Sequence, residues 1–418
     1  MLKLLIIADD FTGALDTGVQ FSKQGAKTLV TTDPKIDFAS LGNDIEVLSV
    51  DTESRHITPG AAYERVFELA ERAHRFGVSC IYKKTDSTLR GNIGAELEAI
   101  SRACGETVMF VPAYPKNNRT TKDGVQYVSG VPLGETLISK DPIDPVTLSS
   151  VTDIIALQSN MKAIYVPLVC CGRAHFSEPG CIYVFDSETD EDLDLVGWAL
   201  KQEGKLRVLA GCAGFAEKLP GLLALPKADF SVKPHGGSVL LVSGSVNQVS
   251  LDQLDAAEAF GYKSIALTPL QKLGGGPEGD MARSKAAQNI INGLNSGGRI
   301  ILRALGKSSE MADADKFAAE KCIDPKAIPT KVAGSMSAVV KEVMASGAVQ
   351  NLAVFGGDTL LAVIDKLGGI GVIPHTEVAP GVVASTVLRD GSGFEVVTKA
   401  GGLGKAGVVG IIDNYLHG

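Results

Sequence analysis

Residues Lys83 to Leu97 read KKTDSTLRGNIGAEL, and they follow the apolar Cys80-Ile81-Tyr82. Lysines, an acid, hydroxyls, an arginine and a glycine crowd into the first nine positions. Ile93, Leu97 and Ile100 then recur at helical spacing. The reading is a buried strand, a polar loop from Thr85 to Gly91, and a helix N-terminus. Open α/β sheets bind ligands at the carboxyl ends of their strands. Free helix N–H groups there favour anions, and Arg90 adds a planar fork suited to carboxylate or phosphate.

Working outward, the first half alternates strands and helices. Leu2–Ala8 is a continuous apolar run, as expected of a strand buried on both faces of a parallel sheet. Strands are expected at 26–31, 45–50, 78–82, 108–111, 182–185 and 206–209. Helices are expected at 12–24 and from Thr58, with Pro59 just inside and Gly77 as the stop. The pattern lapses between Pro112 and Pro145, where PAYPKNNRTTKDGVQYVSGVPLGET is rich in Pro, Gly, Asn and Lys. Such long irregular segments are usually functional or disordered. PKADFSVKPHGG (226–237) reads as a domain boundary. A second alternating series follows, at 239–242, 264–267, 299–303 and 352–355. The fold class expected is α/β: two doubly wound domains, residues 1–228 and 229–418, with mostly parallel sheets and a cleft between them. Fourteen glycines in the last 68 residues imply tight turns and close backbone approach.

Composition narrows the function. The 418 residues carry a net charge of −8 and a pI near 5.4, which argues against a nucleic-acid-binding surface. No apolar run is long enough to span a bilayer, and Met1 leads straight into a strand without a signal peptide. The seven scattered cysteines form no CxxC pair and no zinc-spaced cluster, so reduced thiols in a cytoplasmic protein are expected.

Three stretches of the first half carry polar chemistry. IIADDFTGALDTG (6–18) places Asp9 and Asp10 between a strand and a helix. One acid would serve as a cap; two in tandem suggest a ligand or metal role for at least one. A haloacid-dehalogenase arrangement fails, because Phe11 stands where the second acid of Asp-x-Asp belongs. DTESRHI (51–57) sets Asp51 and Arg55 at the same sheet edge, as an ion pair or as ligand contacts. In the third, Lys84 and Arg90 would neutralise an anion, while Asp86 and Ser87 would bond hydroxyls. That inventory suits a polyhydroxy acid. In the second half, LLVSGSVNQVS (240–250), VFGGDTLLAV (354–363) and TKAGGLGKAG (398–407) each offer a glycine turn that lets phosphate approach backbone N–H groups. No Walker motif and no GxGxxG after the first strand are present.

ADDFTGA (8–14), KTDSTLRGNIGAEL (84–97), PAYP (112–115), SGS (243–245), GGDT (356–359) and KAGGLG (399–404) together resemble the four-carbon acid sugar kinases, in the same order along nearly the whole chain. The resemblance implies an N-terminal acid-sugar-binding domain, a C-terminal ATP-binding domain, and phosphorylation of the terminal hydroxyl of D-threonate, D-erythronate or a 3-oxotetronate. Carried over, Asp10, Arg55, Lys84, Thr85, Asp86 and Ser87 look like substrate contacts, and Arg90 is expected to join them through its own charge. Ser243, Gly356, Gly357, Asp358, Thr359 and Gly401 are ATP contacts. The start ADDFTGALDTG looks closest to the D-threonate kinase branch; Leu403 departs from the aromatic expected there. Mg²⁺ would accompany ATP, with Lys399 offsetting phosphate charge. Asp358, Asp86 and Asp10 are the alternative proton acceptors, and any of them could instead hold Mg²⁺ through water. The partners expected are a sugar acid and ATP, with a homodimer allowed. A sugar-acid sensor without chemistry and an NAD-dependent oxidoreductase are the competing readings.

Overall fold

A computed structural model describes residues 2–42, 44–141, 144–172, 175–176, 178–225, 236–245, 247–305, 309–390, 392–401 and 404–417, the side chains of 309–312 and 392 excepted. The chain divides into two compact units, Met1–Phe230 and Ser231–Gly418. Most of the stretch expected as a boundary, and Leu403, lie outside the described residues.

The first unit holds strands β1 (Leu4–Ala8), β2 (Thr28–Thr31), β3 (Val47–Asp51), β4 (Cys80–Lys84) and β5 (Val108–Val111). A small hairpin group follows: β6 (Arg119–Lys122), β7 (Val125–Val128) and β8 (Val131–Pro132). Then come β9 (Ala163–Val166), β10 (Ile182–Phe185) and β11 (Val208–Gly211). Its helices are α1 (Phe11–Ser22), α2 (Pro59–Phe76), α3 (Ile93–Cys104), α4 (Val151–Ala156), α5 (Asp190–Gln202), α6 (Ala213–Ala216) and α7 (Leu219–Leu222). The main sheet runs β2-β3-β1-β4-β11-β5-β10-β9, parallel throughout. β1 is buried at every residue, as its unbroken apolar run requires. The chain leaves β1 toward β2 on one side and later returns to β4 on the other. The carboxyl ends of β1, β3 and β4 therefore flank the switch point.

Local signals act as expected. Thr58 caps α2 with Pro59 inside it, and Gly77 ends it in the left-handed region at φ 87°. Within the 112–145 stretch, β6, β7 and β8 form an antiparallel sheet.

In the second unit, β12 (Val239–Ser243), β13 (Tyr262–Ala266), β14 (Arg299–Arg303) and β15 (Asn351–Phe355) are joined by α8 (Gln248–Glu258), α9 (Pro269–Leu273), α10 (Gly276–Asn295), α11 (Ser309–Glu320) and α12 (Ile328–Ala345). After α13 (Gly357–Lys366) come β16 (Gly369–Ala379), β17 (Val382–Arg389), β18 (Ser392–Lys399) and α14 (Val408–His417). The order β13-β14-β12-β15-β18 is parallel, and β17 and β16 continue it antiparallel. The glycine-dense tail thus holds a meander of long strands as well as turns, an addition to the expected series. In β16 and β18 polar residues and glycines break up the apolar run that marks a parallel core strand.

Two lysines correct the reading of the central loop. β4 extends through Lys83 and Lys84, in register with Ile7 and Ala8 of β1 and with Ala210 and Gly211 of β11. Lys83 is fully buried. Its ammonium donates to the carbonyls of Ile7 (3.1 Å) and Lys84 (2.9 Å) and pairs with Glu96 (3.1 Å). A buried lysine looks like loop by polarity, but here every donor finds an acceptor.

Candidate active site

In the first unit, three loops meet where β1, β3 and β4 end. Asp10 is the N-cap of α1, its Oδ1 accepting from the Gly13 amide at 3.0 Å. Arg55 gathers the acids of two other loops. Its Nε donates to Asp9 Oδ2 (2.7 Å) and Nη1 to Asp10 Oδ2 (3.0 Å), while Nη2 ion-pairs with Asp10 Oδ1 (2.8 Å) and lies 4.0 Å from Asp86 Oδ1. Against the cost of its own burial, Asp9, Asp10 and Asp86 hold the guanidinium well above its ordinary range. Asp9 is 1% exposed and Asp10 half-buried. The tandem acids thus divide their work: Asp9 orients Arg55, and Asp10 combines a cap with an accessible carboxylate.

The loop after β4 closes on Asp86. The carboxylate accepts from the Thr88 amide (3.2 Å) and hydroxyl, and from Arg90 through Nε (2.9 Å) and Nη2 (3.2 Å). Arg90 also reaches Asp141 at 3.5 Å. Burial raises the Asp86 pKa, but Arg55 and Arg90 outweigh it and hold the carboxyl far below the usual carboxylate range. A carboxylate so held is a poor proton acceptor, which leaves Asp86 as the organiser of two guanidiniums. Thr85 is fully buried with its hydroxyl unpartnered, and Ser87 is half-buried. Lys84 is 6% exposed and donates to the Thr85 carbonyl at 2.9 Å.

Residues that polarity alone did not single out build the support. Glu96, fully buried on α3, pairs with Lys83 and accepts from the Ser54 hydroxyl. One turn earlier, Asn92 donates to the carbonyls of Ser54 (2.8 Å) and Ile57 (2.9 Å). Together they grip the loop that carries Arg55. Their spacing of four on a helix just after the polar loop was the available signal.

Gly13 is a second such residue. A Cβ there would stand 2.6 Å from Asp10 Oδ1 and 2.9 Å from Lys84 Nζ. Both are movable tips, so Gly13→Ala is expected to fold normally while displacing a carboxylate and an ammonium. Affinity for a ligand bound at these strand ends should fall roughly tenfold or more, with the melting temperature little changed. Titration calorimetry on the variant checks this; unchanged affinity would mean that Asp10 and Lys84 do not both touch the ligand.

Asp51, at the end of β3, has Oδ2 buried without a partner and a pKa pushed up to about 7 by burial, with the charge of Asp10 adding. The charged form is disfavoured in the fold. Stability is therefore unaffected below the unfolded value near 3.8, declines as pH rises from there to about 7, and is level above. Asp51→Asn removes this dependence. Its stability relative to the parent should grow with pH across that window, by up to about 1.4 kcal/mol per pH unit. Urea denaturation at several pH values measures the slope.

In the second unit the three glycine turns assemble at the carboxyl ends of β12, β15 and β18, which are adjacent in that order. Ser243 ends β12 opposite Phe355, and its buried hydroxyl has no partner. A Cβ on Gly244 would stand 2.3 Å from Thr359 Oγ1, so the Ser-Gly-Ser turn lies directly against the start of α13. Gly356, at φ 95° and ψ 133°, donates to the Lys399 carbonyl at 2.9 Å. The Ser250 hydroxyl donates to Gly401 at 2.5 Å, tying in the third turn. α13 begins at Gly357 without a side-chain cap, so its first amides are open to an anion. Asp358 is exposed in that first turn, and Thr359 is 4% exposed. Lys399, read from the sequence as a phosphate contact, is instead 2% exposed. Its ammonium donates to the carbonyls of Ala400 (2.7 Å) and Gly401 (3.1 Å) and lies over the Phe355 ring. It shapes the turn from inside.

Comparison with known proteins agrees with this division of chemistry. Residues 4–219 match the sugar-binding N-terminal domain model, and residues 240–408 the nucleotide-binding C-terminal domain model. A D-threonate kinase of Salmonella typhimurium is 30% identical over 96% of each chain. A D-erythronate kinase of Heliobacterium modesticaldum is 29% identical over 100% of this chain and 97% of its own. A 3-oxo-tetronate kinase of Methylobacterium radiotolerans is 27% identical over 98% of each. A solved structure from Salmonella typhimurium shares the fold at TM-score 0.82 and 21% identity, covering 99% of both chains. By its sugar-binding and nucleotide-binding halves and its near-full-length relatives, the chain belongs to the four-carbon acid sugar kinase family.

Proposed function

We propose that this protein is an ATP-dependent kinase that phosphorylates the 4-hydroxyl of a four-carbon sugar acid, D-threonate in the first instance, with D-erythronate or a 3-oxotetronate as the alternatives. The observation that carries the reading is the cluster of Asp10, Arg55, Lys84 and Asp86 at adjacent strand ends of the sugar-binding unit. Residues 1–228 bind the acid and residues 229–418 the nucleotide. The D-threonate assignment rests on the Salmonella relative and on a second D-threonate kinase, from Bordetella bronchiseptica, 31% identical over 97% of this chain.

In this reading Asp10 accepts a hydrogen bond from a sugar hydroxyl, and Arg55 or Lys84 faces the carboxylate. The open amides of Gly357 and Asp358 and the small turns at Ser243 and Gly401 take the phosphates. Phosphoryl transfer needs the 4-hydroxyl in line with the γ-phosphate and little covalent help from the protein. Asp358, exposed beside the phosphate turn, accepts the hydroxyl proton or holds Mg²⁺ through water. A nucleotide-borne Mg²⁺ keeps several waters and needs only one or two carboxylates. That fits a site with no group of three metal-ligating side chains among the described residues. When bound, the ion offsets charge on the phosphate oxygens.

The reading includes a cytoplasmic setting, which suits seven unpaired cysteines. A coupled ADP-release assay over the enantiomers of threonate and erythronate is the test. Turnover should require a tetronate, be highest with D-threonate, and accompany a thermal shift with ATP·Mg²⁺. Absence of turnover with every tetronate, or of any stabilisation by the nucleotide, would sink it.

A further inference from the structure

We propose that Arg119, at the start of β6, is a further specificity-determining residue that binds the carboxylate of the sugar acid. The inference rests on the sugar-acid reading above and deepens it. It comes from the 112–145 segment, whose irregular composition had no assigned purpose.

Charge balance is the first argument. Arg55 is consumed by Asp9 and Asp10, and Arg90 by Asp86 and Asp141. Both guanidiniums therefore enter the site already neutralised. Asp9, Asp10 and Asp86 together would repel an incoming carboxylate unless another cation were unspent. Lys84 is one, with its ammonium beside Asp10. Arg119 is the other. Among the described residues no carboxylate lies within ion-pair distance of it. Its Nη1 donates to the Asn117 carbonyl, and its Nε is buried without a partner. Its two lysine neighbours in the segment are paired: Lys116 with Glu217 and Asp190, and Lys122 with Glu188.

Placement is the second argument. Arg119 is half-buried and lies within electrostatic reach of Asp86, Cys212 and Arg90. Burial lowers its pKa, with the charge of Asp86 opposing. The backbone that carries it is fixed. Tyr114 and Arg119 exchange amide–carbonyl bonds at 2.7 and 3.1 Å. Gln126 of the neighbouring strand donates to the Ser87 carbonyl at 3.2 Å, pinning the small sheet to the substrate loop. A planar fork held at that loop, with donors to spare, matches a carboxylate.

The experiment compares D-threonate with its uncharged amide on the parent, Arg119→Gln and Arg119→Lys. Binding is measured by calorimetry without nucleotide, and turnover by the coupled assay. Arg119→Gln should weaken D-threonate binding about tenfold or more, leave the amide and ATP unaffected, and keep its melting temperature. Arg119→Lys should recover part of the loss. Equal binding of D-threonate by parent and Arg119→Gln overturns the proposal. So does an equal loss for acid and amide, which would assign Arg119 to folding or to the transferred phosphate. A parent that binds D-threonate through Arg119 yet transfers no phosphate overturns the kinase reading alone; one that binds no tetronate overturns both.

Discussion

Asp86→Ala is expected to abolish tetronate-dependent ATP turnover while nucleotide binding by the second unit survives. The carboxylate takes up Thr88, both arms of Arg90 and the outer reach of Arg55. Truncation leaves two partly buried guanidiniums facing each other without the charge between them. Breaking one partner out of a buried ionic group costs on the order of 3–5 kcal/mol, and a loss of that size in the bound state is a fall of about a thousandfold or more. Some of it will appear as instability of the first unit, so Asp86→Asn is the companion. It keeps the shape and the Thr88 contacts but loses the charge, and it should stay folded with turnover still reduced by at least about a hundredfold. An ATP·Mg²⁺ thermal shift on both variants reads the second unit independently. Turnover equal to the parent's in either variant would reject the role given to Asp86. The same network implies a pH dependence. The Asp86 pKa is lowered in the fold, so its stabilisation is complete above the unfolded value near 3.8 and drains away as pH falls toward the folded value.

The second large effect is expected at the glycine turns. In Gly244→Ala the new methyl meets Thr359 Oγ1 at 2.3 Å. Thr359 is packed at the start of α13, so the two turns must separate. In Gly356→Ala the backbone at φ 95° becomes strained, at roughly 1–3 kcal/mol. Relief would break the hydrogen bond from the Gly356 amide to the Lys399 carbonyl that joins the turns after β15 and β18. Each variant should lose ATP affinity by at least about tenfold while D-threonate binding to the first unit stays at the parent level. Calorimetry with each ligand separates the two. Equal ATP affinity in both variants would show that the phosphates do not lie in these turns.

Much of the first unit could be read from the chain because its signals are local. An apolar run makes β1, Thr58 and Gly77 bracket α2, and the polar loop after β4 interrupts a strand–helix succession. Motif order carried the family and the two halves with it. Polarity misled where a polar side chain is satisfied inside. Lys83 and Lys399 look like surface or ligand-binding lysines, but each spends its ammonium on backbone carbonyls. Strands β16 and β18 were hidden for the opposite reason, since their glycines and polar residues dilute the apolar run.

The division follows from the range of the forces involved. Strand, cap and turn preferences depend on neighbours within a few positions, so the amino-acid order alone determined the alternating strands and helices of the parallel series and the residues that crowd their strand ends. Ion pairing depends on which strands lie side by side. The order β3-β1-β4 brings Asp10 and Asp86 to Arg55 across 45 and 31 positions, and tertiary structure alone decided that. It likewise decided which cations are already neutralised, Arg55 by Asp9 and Asp10 and Arg90 by Asp86 and Asp141.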